Sequence, residues 1–177
     1  VAAWPEALTL NTGGEGRLTG TFDDPQFSGR IDTAGRYQQE PFELSTDLSA
    51  SREQLELSGT RLATEAGDIN AQGRLQLDTL ALDATTELLD IRSSWLQVAG
   101  VDLPVEQDWG VSGQLQWSGT ATDPVASGDL NLEGRWQNQT LAAALQIERF
   151  DLTRVQLGQS RIQLADTETQ LAGEINW

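Results

Sequence analysis

Apolar and polar residues alternate along most of this chain, and a period of two is the pattern of a strand with one dry face and one wet face. In "PFELSTDLS" Phe42, Leu44, Thr46 and Leu48 fall on one side and Glu43, Ser45 and Asp47 on the other. "RLTGTF" sets Leu18 and Phe22 against Arg17, Thr19 and Thr21. The same alternation returns in "QLELSG", "DINAQGRLQLD", "LALDATTEL", "VSGQLQWSG", "GDLNLEG", "LAAALQIE", "RVQLG", "SRIQLA" and "TQLAGEINW". Gly, Asp, Asn and Pro fall between the runs and supply turns, so about a dozen strands of antiparallel, all-β type are expected. One stretch differs. In "TELLDIRSSWLQVAG" the residues Leu88, Ile91, Trp95 and Val98 stand at helical spacing, and at most one short helix is expected, near 88–99.

The pattern also repeats over a long period. Slid by 99 positions, Asp24-Pro25 falls on Asp123-Pro124, Ser28-Gly29 on Ser127-Gly128, Ile31 on Leu130, and Phe42 on Leu141. Leu48 falls on Ile147. After one further residue of slip, Leu55 and Leu57 meet Val155 and Leu157, and Gly73, Leu75 and Leu77 meet Gly173, Ile175 and Trp177. A matching order of turns and strands marks a structural repeat, 14–77 and 111–177, joined by a connector over 86–110. The whole of 1–177 then reads as one β-repeat domain. With Val1 at its start and no Met, it reads as a segment of a longer chain that would supply neighbours at both ends.

The dry-face positions are the candidate functional residues. In the first copy they are Leu18, Phe22, Ile31, Phe42, Leu44, Leu48, Leu55, Leu57, Leu75 and Leu77, followed by Leu80 and Leu82. In the second they are Leu115, Trp117, Leu130, Leu132, Leu145, Ile147, Val155, Leu157, Ile162, Leu164, Ile175 and Trp177. This set is Leu-rich and lean in aromatics. It suits either an ordinary closed core or an open trough that a hydrocarbon chain would fill.

Composition narrows the chemistry. Lys and Arg together number 11, all of them Arg, against 27 Asp and Glu, for a net charge of −16. That balance repels phosphate backbones, so no nucleic-acid partner is expected. Without Cys, His or Lys the chain lacks thiolates, the usual triad base, the commonest zinc ligand and Schiff-base amines. Any chain with this many carboxylates contains pairs that imitate a glycosidase dyad, and none here has a distinguishing context. Asp23-Asp24 reads as turn-forming rather than calcium-binding. "NQT" at Asn138–Thr140 matches a glycosylation sequon by chance. The expectation is a non-enzyme with no catalytic, metal or cofactor site.

"GTFDDPQFSGRI" and "SGTATDPVASGDLNLEG" resemble the recurring Gly-Pro-Gly-[Ile/Leu] phrase of the AsmA-like envelope proteins, TamB-like bridge proteins in particular. "VQLGQSRIQLADTETQLAGEINW" is similar to that family's strand pairs. The resemblance implies a long sheet curled into a taco-like trough with an apolar interior. It also implies the periplasm of a Gram-negative bacterium, within a chain anchored in the inner membrane. The function it implies is shielding of phospholipid acyl chains between the two membranes, with a role in outer-membrane protein assembly. Other parts of such a chain would contact a TamA-like outer-membrane barrel. Two alternatives stand beside this reading: a chaperone-like scaffold that pairs client strands along an open edge, and a structural β-solenoid stalk.

Overall fold

The computed structural model describes residues 8–37, 40–98 and 108–177. They form β1 (Leu8–Gly20), β2 (Pro25–Tyr37), β3 (Glu40–Ala50), β4 (Gln54–Thr64), β5 (Gly67–Gln76), β6 (Leu82–Arg92), α1 (Ser93–Val98), β7 (Asp108–Thr120), β8 (Asp123–Trp136), β9 (Gln139–Phe150), β10 (Arg154–Leu164) and β11 (Thr167–Asn176). Each strand pairs antiparallel with the next, so one 11-stranded sheet runs from β1 to β11 in chain order. Short polar turns enforce this order. Thr21 and Asp24 exchange backbone hydrogen bonds of 3.2 Å between β1 and β2. Ser51 Oγ accepts the amides of Glu53 and Gln54 between β3 and β4. Asp151 caps the equivalent turn between β9 and β10.

The sheet corrects the expected architecture. It is an open antiparallel layer that neither curls nor closes, so the taco-like trough is not formed. Each strand packs against its sequence neighbours, and the remaining packing of note is that of α1 on β6 and β7. Alternation specifies which side of a strand is dry; it carries no information on curvature, which comes from bulges and kinks. What stands is a generic antiparallel sheet domain, and the curvature that the TamB-like resemblance implied is absent from it.

β-Bulges explain two oddities of the sequence. In β6 a register shift separates Leu88, opposite Gly113, from Ile91, opposite Val111. The extra residue puts Leu88 and Ile91 on the same face three positions apart, which imitates helical spacing. Both are therefore strand residues, and the helix is confined to Ser93–Val98. In β3, Leu48 and Ala50 stand opposite Gly29 and Phe27. In β9 their counterparts Ile147 and Phe150 stand opposite Gly128 and Ala126, with one residue more between them. The slip from 99 to 100 in the repeat is this bulge.

The layer leaves little interior. The accessible surface is 12033 Å², against about 8,500 Å² for a folded monomer of this mass. Ala126 is the one fully buried apolar residue among those described.

Candidate functional site

Residues directly opposite one another in a ladder share a face, so the registers sort every strand residue onto one of two sides. From β1 to β5 one face carries Leu10, Ile31, Leu44, Leu62 and Ile69, with Leu44 directly opposite Leu62 and Leu62 directly opposite Ile69. From β6 to β11 the same face carries Leu88, Leu115, Leu130, Leu145, Ile162 and Leu171. Register shifts in β4, β6, β9 and β10 keep it continuous: Leu57 and Thr60, like Leu157 and Ser160, lie on the same side although three apart. Outside the bulges, Glu40 is the one charged residue on this face among the described strands, and it lies at the end of β3.

All the candidate residues except Phe22, Leu77, Leu80 and Trp177 lie on this apolar face. Leu18 and Ile31 sit on β1 and β2. Phe42, Leu44 and Leu48 are on β3, Leu55 and Leu57 on β4, Leu75 on β5, and Leu82 on β6. Leu115 and Trp117 are on β7, Leu130 and Leu132 on β8, and Leu145 and Ile147 on β9. Val155, Leu157, Ile162 and Leu164 are on β10, opposite a β11 that carries Ile175. Phe22 is fully exposed in the β1–β2 turn. Leu77 and Leu80 flank the β5–β6 turn. Trp177 follows β11, where its ring lies 6.2 Å from that of Phe150 and its Nε1 donates to the Leu152 carbonyl at 3.0 Å.

The candidate set leaves out Phe27, Leu62, Val111, Leu141 and Leu171, and also Ile69, which the alternation of "DINAQGRLQLD" already put on the dry side; the ladders place all six on the same face. Their strands were recognisable; apart from Ile69, the signal for these individual positions is the partner residue, which a single strand does not show. Trp109 lies in β7 opposite Gly134, and Trp136 on the neighbouring strand shares its face. Trp4 and the connector residues 99–107 lie outside the described residues.

Polar atoms on the apolar face engage one another. Thr46 and Thr60 share a hydroxyl hydrogen bond of 2.5 Å, Thr33 donates to Thr12 at 3.2 Å, and Trp117 Nε1 donates to Thr86 Oγ1 at 3.0 Å. Ser160 Oγ accepts the amide of Gln146 at 3.0 Å. Satisfied in this way, the hydroxyls present methyls and closed dipoles, and the face has few polar groups free to grip a hydrophilic ligand.

The opposite face gathers the charge. Arg30 pairs with Asp32 at 3.1 Å, Arg61 with Asp68 at 2.7 Å, Arg74 with Asp83 at 2.8 Å and Arg161 with Glu168 at 3.0 Å. These are exposed pairs of small individual worth. Arg61 is held more firmly protonated than usual, chiefly by its hydrogen bond to Asp68. A shallow depression of about 550 Å³ on this face is lined by Asn11, Arg30, Asp32, Glu43 and Arg61 among others. Asp151 sits at the β9–β10 turn and is 6% exposed. Hydrogen bonds from Arg149, then from the Thr153 hydroxyl and amide, hold its carboxyl well below the usual carboxylate range. Among the described residues no cluster of His, Cys, Asp and Glu is placed to hold a metal ion. No described helix is long and apolar enough to cross a membrane.

Neither a protein-family model, nor a curated protein, nor a solved structure matches this chain.

Proposed function

We propose that the apolar face of the sheet is a surface for phospholipid acyl chains, and that the chain works by physical shielding rather than bond chemistry. The observation that supports this reading most is the sorting of charge. Across eleven strands the acidic and basic residues outside the bulges keep to one side, Glu40 at the end of β3 excepted, and the bulges preserve that sorting where the residue count would break it. Each methylene gains about 0.8 kcal/mol on full burial, and a layer that covers a chain from one side supplies roughly half of that. The face then lowers the cost of crossing water and returns its lipid to a bilayer without trapping it. We infer a periplasmic setting, where acyl chains must cross water between two membranes.

The test is native mass spectrometry of the purified protein with analysis of extracted lipid. Co-purified phospholipid is expected. It is expected to disappear when Leu75 and Leu145 both become Glu, and to remain when Ala144, on the opposite face beside Arg161, becomes Glu. A lipid-free wild-type protein, or lipid retained by the double variant, overturns the reading.

A further inference from the structure

The two ends of the sheet differ. In a meander the turns that follow odd-numbered strands lie at one end, and those that follow even-numbered strands at the other. At the second end the tight turns Glu65-Ala66, Gln137-Asn138 and Ala165-Asp166 carry no large apolar residue. At the first end Phe22 stands fully exposed between β1 and β2, Leu77 and Leu80 are exposed between β5 and β6, and Leu152 is exposed between β9 and β10. The β5–β6 turn has paired strands on both sides, so the exposure of its leucines belongs to the turn and not to a sheet edge.

Leu80 is also strained. Its φ is +57°, in the left-handed region that Gly, Asn and Asp enter most readily. Asn would relieve the strain; leucine keeps it and turns an apolar side chain to the outside. Strain retained at an exposed turn, where no core packing demands it, points to function.

The same rim satisfies its own backbone. Thr21 and Asp24 exchange backbone hydrogen bonds, and Arg52 Nη1 donates to the Asp23 carbonyl. The Leu77 amide donates to the Glu53 carbonyl at 2.7 Å, and the Ala121 amide to the Leu80 carbonyl at 2.9 Å. Four consecutive turns, from β1–β2 to β7–β8, are thereby tied into one strip. Carbonyls engaged in this way lose less than free ones on entering a layer poor in water. Directly behind the strip the last ladder row is apolar, with Ala50 opposite Leu55, Leu55 opposite Leu75, and Leu75 opposite Leu82.

We infer that this rim seats on the surface of a zwitterionic phospholipid bilayer and is where acyl chains pass between the bilayer and the apolar face. The inference rests on the lipid reading above, since it supplies that face with a way in. Phe22, Leu77 and Leu80 enter the boundary between headgroups and acyl chains, as the apolar side chains of interfacial segments do. Arg52 has donors to spare for a lipid phosphate. Charge selects the kind of surface. Asp23, Asp24, Glu53 and Asp78 share these four turns with Arg52 as their one cation, so an anionic surface repels the rim and a zwitterionic one does not.

The probes are vesicles of phosphatidylcholine and vesicles of phosphatidylglycerol, each mixed with the intact protein and separated by flotation. The wild type is expected to float with phosphatidylcholine and less with phosphatidylglycerol. Phe22→Ser combined with Leu80→Asn, which suits the left-handed backbone, is expected to keep the far-UV circular dichroism spectrum and to weaken flotation about tenfold. Phe22→Leu is expected to float like the wild type. The rim variant should still carry lipid in native mass spectrometry, whereas the protein with Glu at positions 75 and 145 should lose that lipid and still float. The two readings therefore fail separately. A wild type that does not float, a preference for phosphatidylglycerol, undiminished flotation of the rim variant, or flotation lost only with the face variant each overturns the assignment.

Discussion

Deleting Gly59 should cost the protein considerably more than replacing it. Gly59 lies in the β4 bulge at a φ of +59°, where an L-residue is strained by about 1–2 kcal/mol. A Cβ there would meet Asp47 Oδ2 at 3.3 Å, a close contact that the carboxylate end of a side chain can relieve by a small shift. Gly59→Ala should therefore cost about 1 kcal/mol, at the lower end of that backbone strain. Deletion removes the register shift that keeps Leu57 and Thr60 on the same face. If the later half of β4 turns over, half-buried Leu62 loses about 1 kcal/mol of burial. The Thr46–Thr60 hydrogen bond goes with it, for about 1 kcal/mol. The exposed Arg61–Asp68 pair adds roughly 0.5 kcal/mol. Turning over the earlier half instead exposes Leu55 and Leu57 and brings Glu56 onto the dry face. Deletion should thus cost about 2–3 kcal/mol, against about 1 for the alanine variant. Urea unfolding followed by tryptophan fluorescence and far-UV circular dichroism measures both. If the deletion lies within about 0.5 kcal/mol of Gly59→Ala, roughly the scatter of such comparisons, the bulge does not set the face and the reasoning fails.

Ser160→Ala should destabilise by about 1–2 kcal/mol in the same assay, because the Gln146 amide loses its hydroxyl acceptor beside a bulge; an unchanged midpoint would mean that water replaces it freely. Asp151 should make stability acid-sensitive. Its folded carboxyl is held low by Arg149 and Thr153, so its contribution is complete above the unfolded-state value of about 3.9 and is lost as pH falls below that toward the lower folded value. Asp151→Asn should lower the urea midpoint at neutral pH and flatten its acid dependence, and an unaltered acid slope would count against the turn assignment. Phospholipid with brominated acyl chains should quench tryptophan fluorescence, and Trp117→Phe should remove part of the quenching, since Trp117 lies on the apolar face.

Much of this fold is legible in the sequence, because alternation reports the dry side of each strand directly. Phe42, Leu44 and Leu48 share a face in the chain as written and in the sheet as folded. The repeat is a reading of the sequence, and Asp24-Pro25 and Asp123-Pro124 stand where β2 and β8 begin. What alternation misreads are the places where the chain breaks its own period. Leu88 and Ile91 imitate a helix because a bulge lies between them. The slip after Leu48 looks like an insertion in the repeat, and the ladders show it to be a bulge in β9. Curvature was not legible at all, as it depends on how bulges and glycines bend neighbouring strands together. The dry-face set was readable strand by strand. Its continuity across β1 to β11 was not, because it depends on the pairing registers.

A single layer with one apolar face poses a stability problem that its own contacts do not solve. Strands here are packed from the sides and not from above, which is why Ala126 alone among the described apolar residues is fully buried. Whatever covers the face therefore contributes to folding as well as to function. A ligand that binds only the folded sheet raises its stability by mass action, by about 2.7 kcal/mol at a free concentration one hundred times its Kd. The net charge of −16 works against self-association, because stacking two sheets through their apolar faces brings two acidic polypeptides together. The bulges prevent carboxylates from straying onto the apolar face, and the carboxylates discourage a second sheet from covering it. Both features fit the function proposed above, in which the partner is an acyl chain that carries no charge and needs no hydrogen bonds.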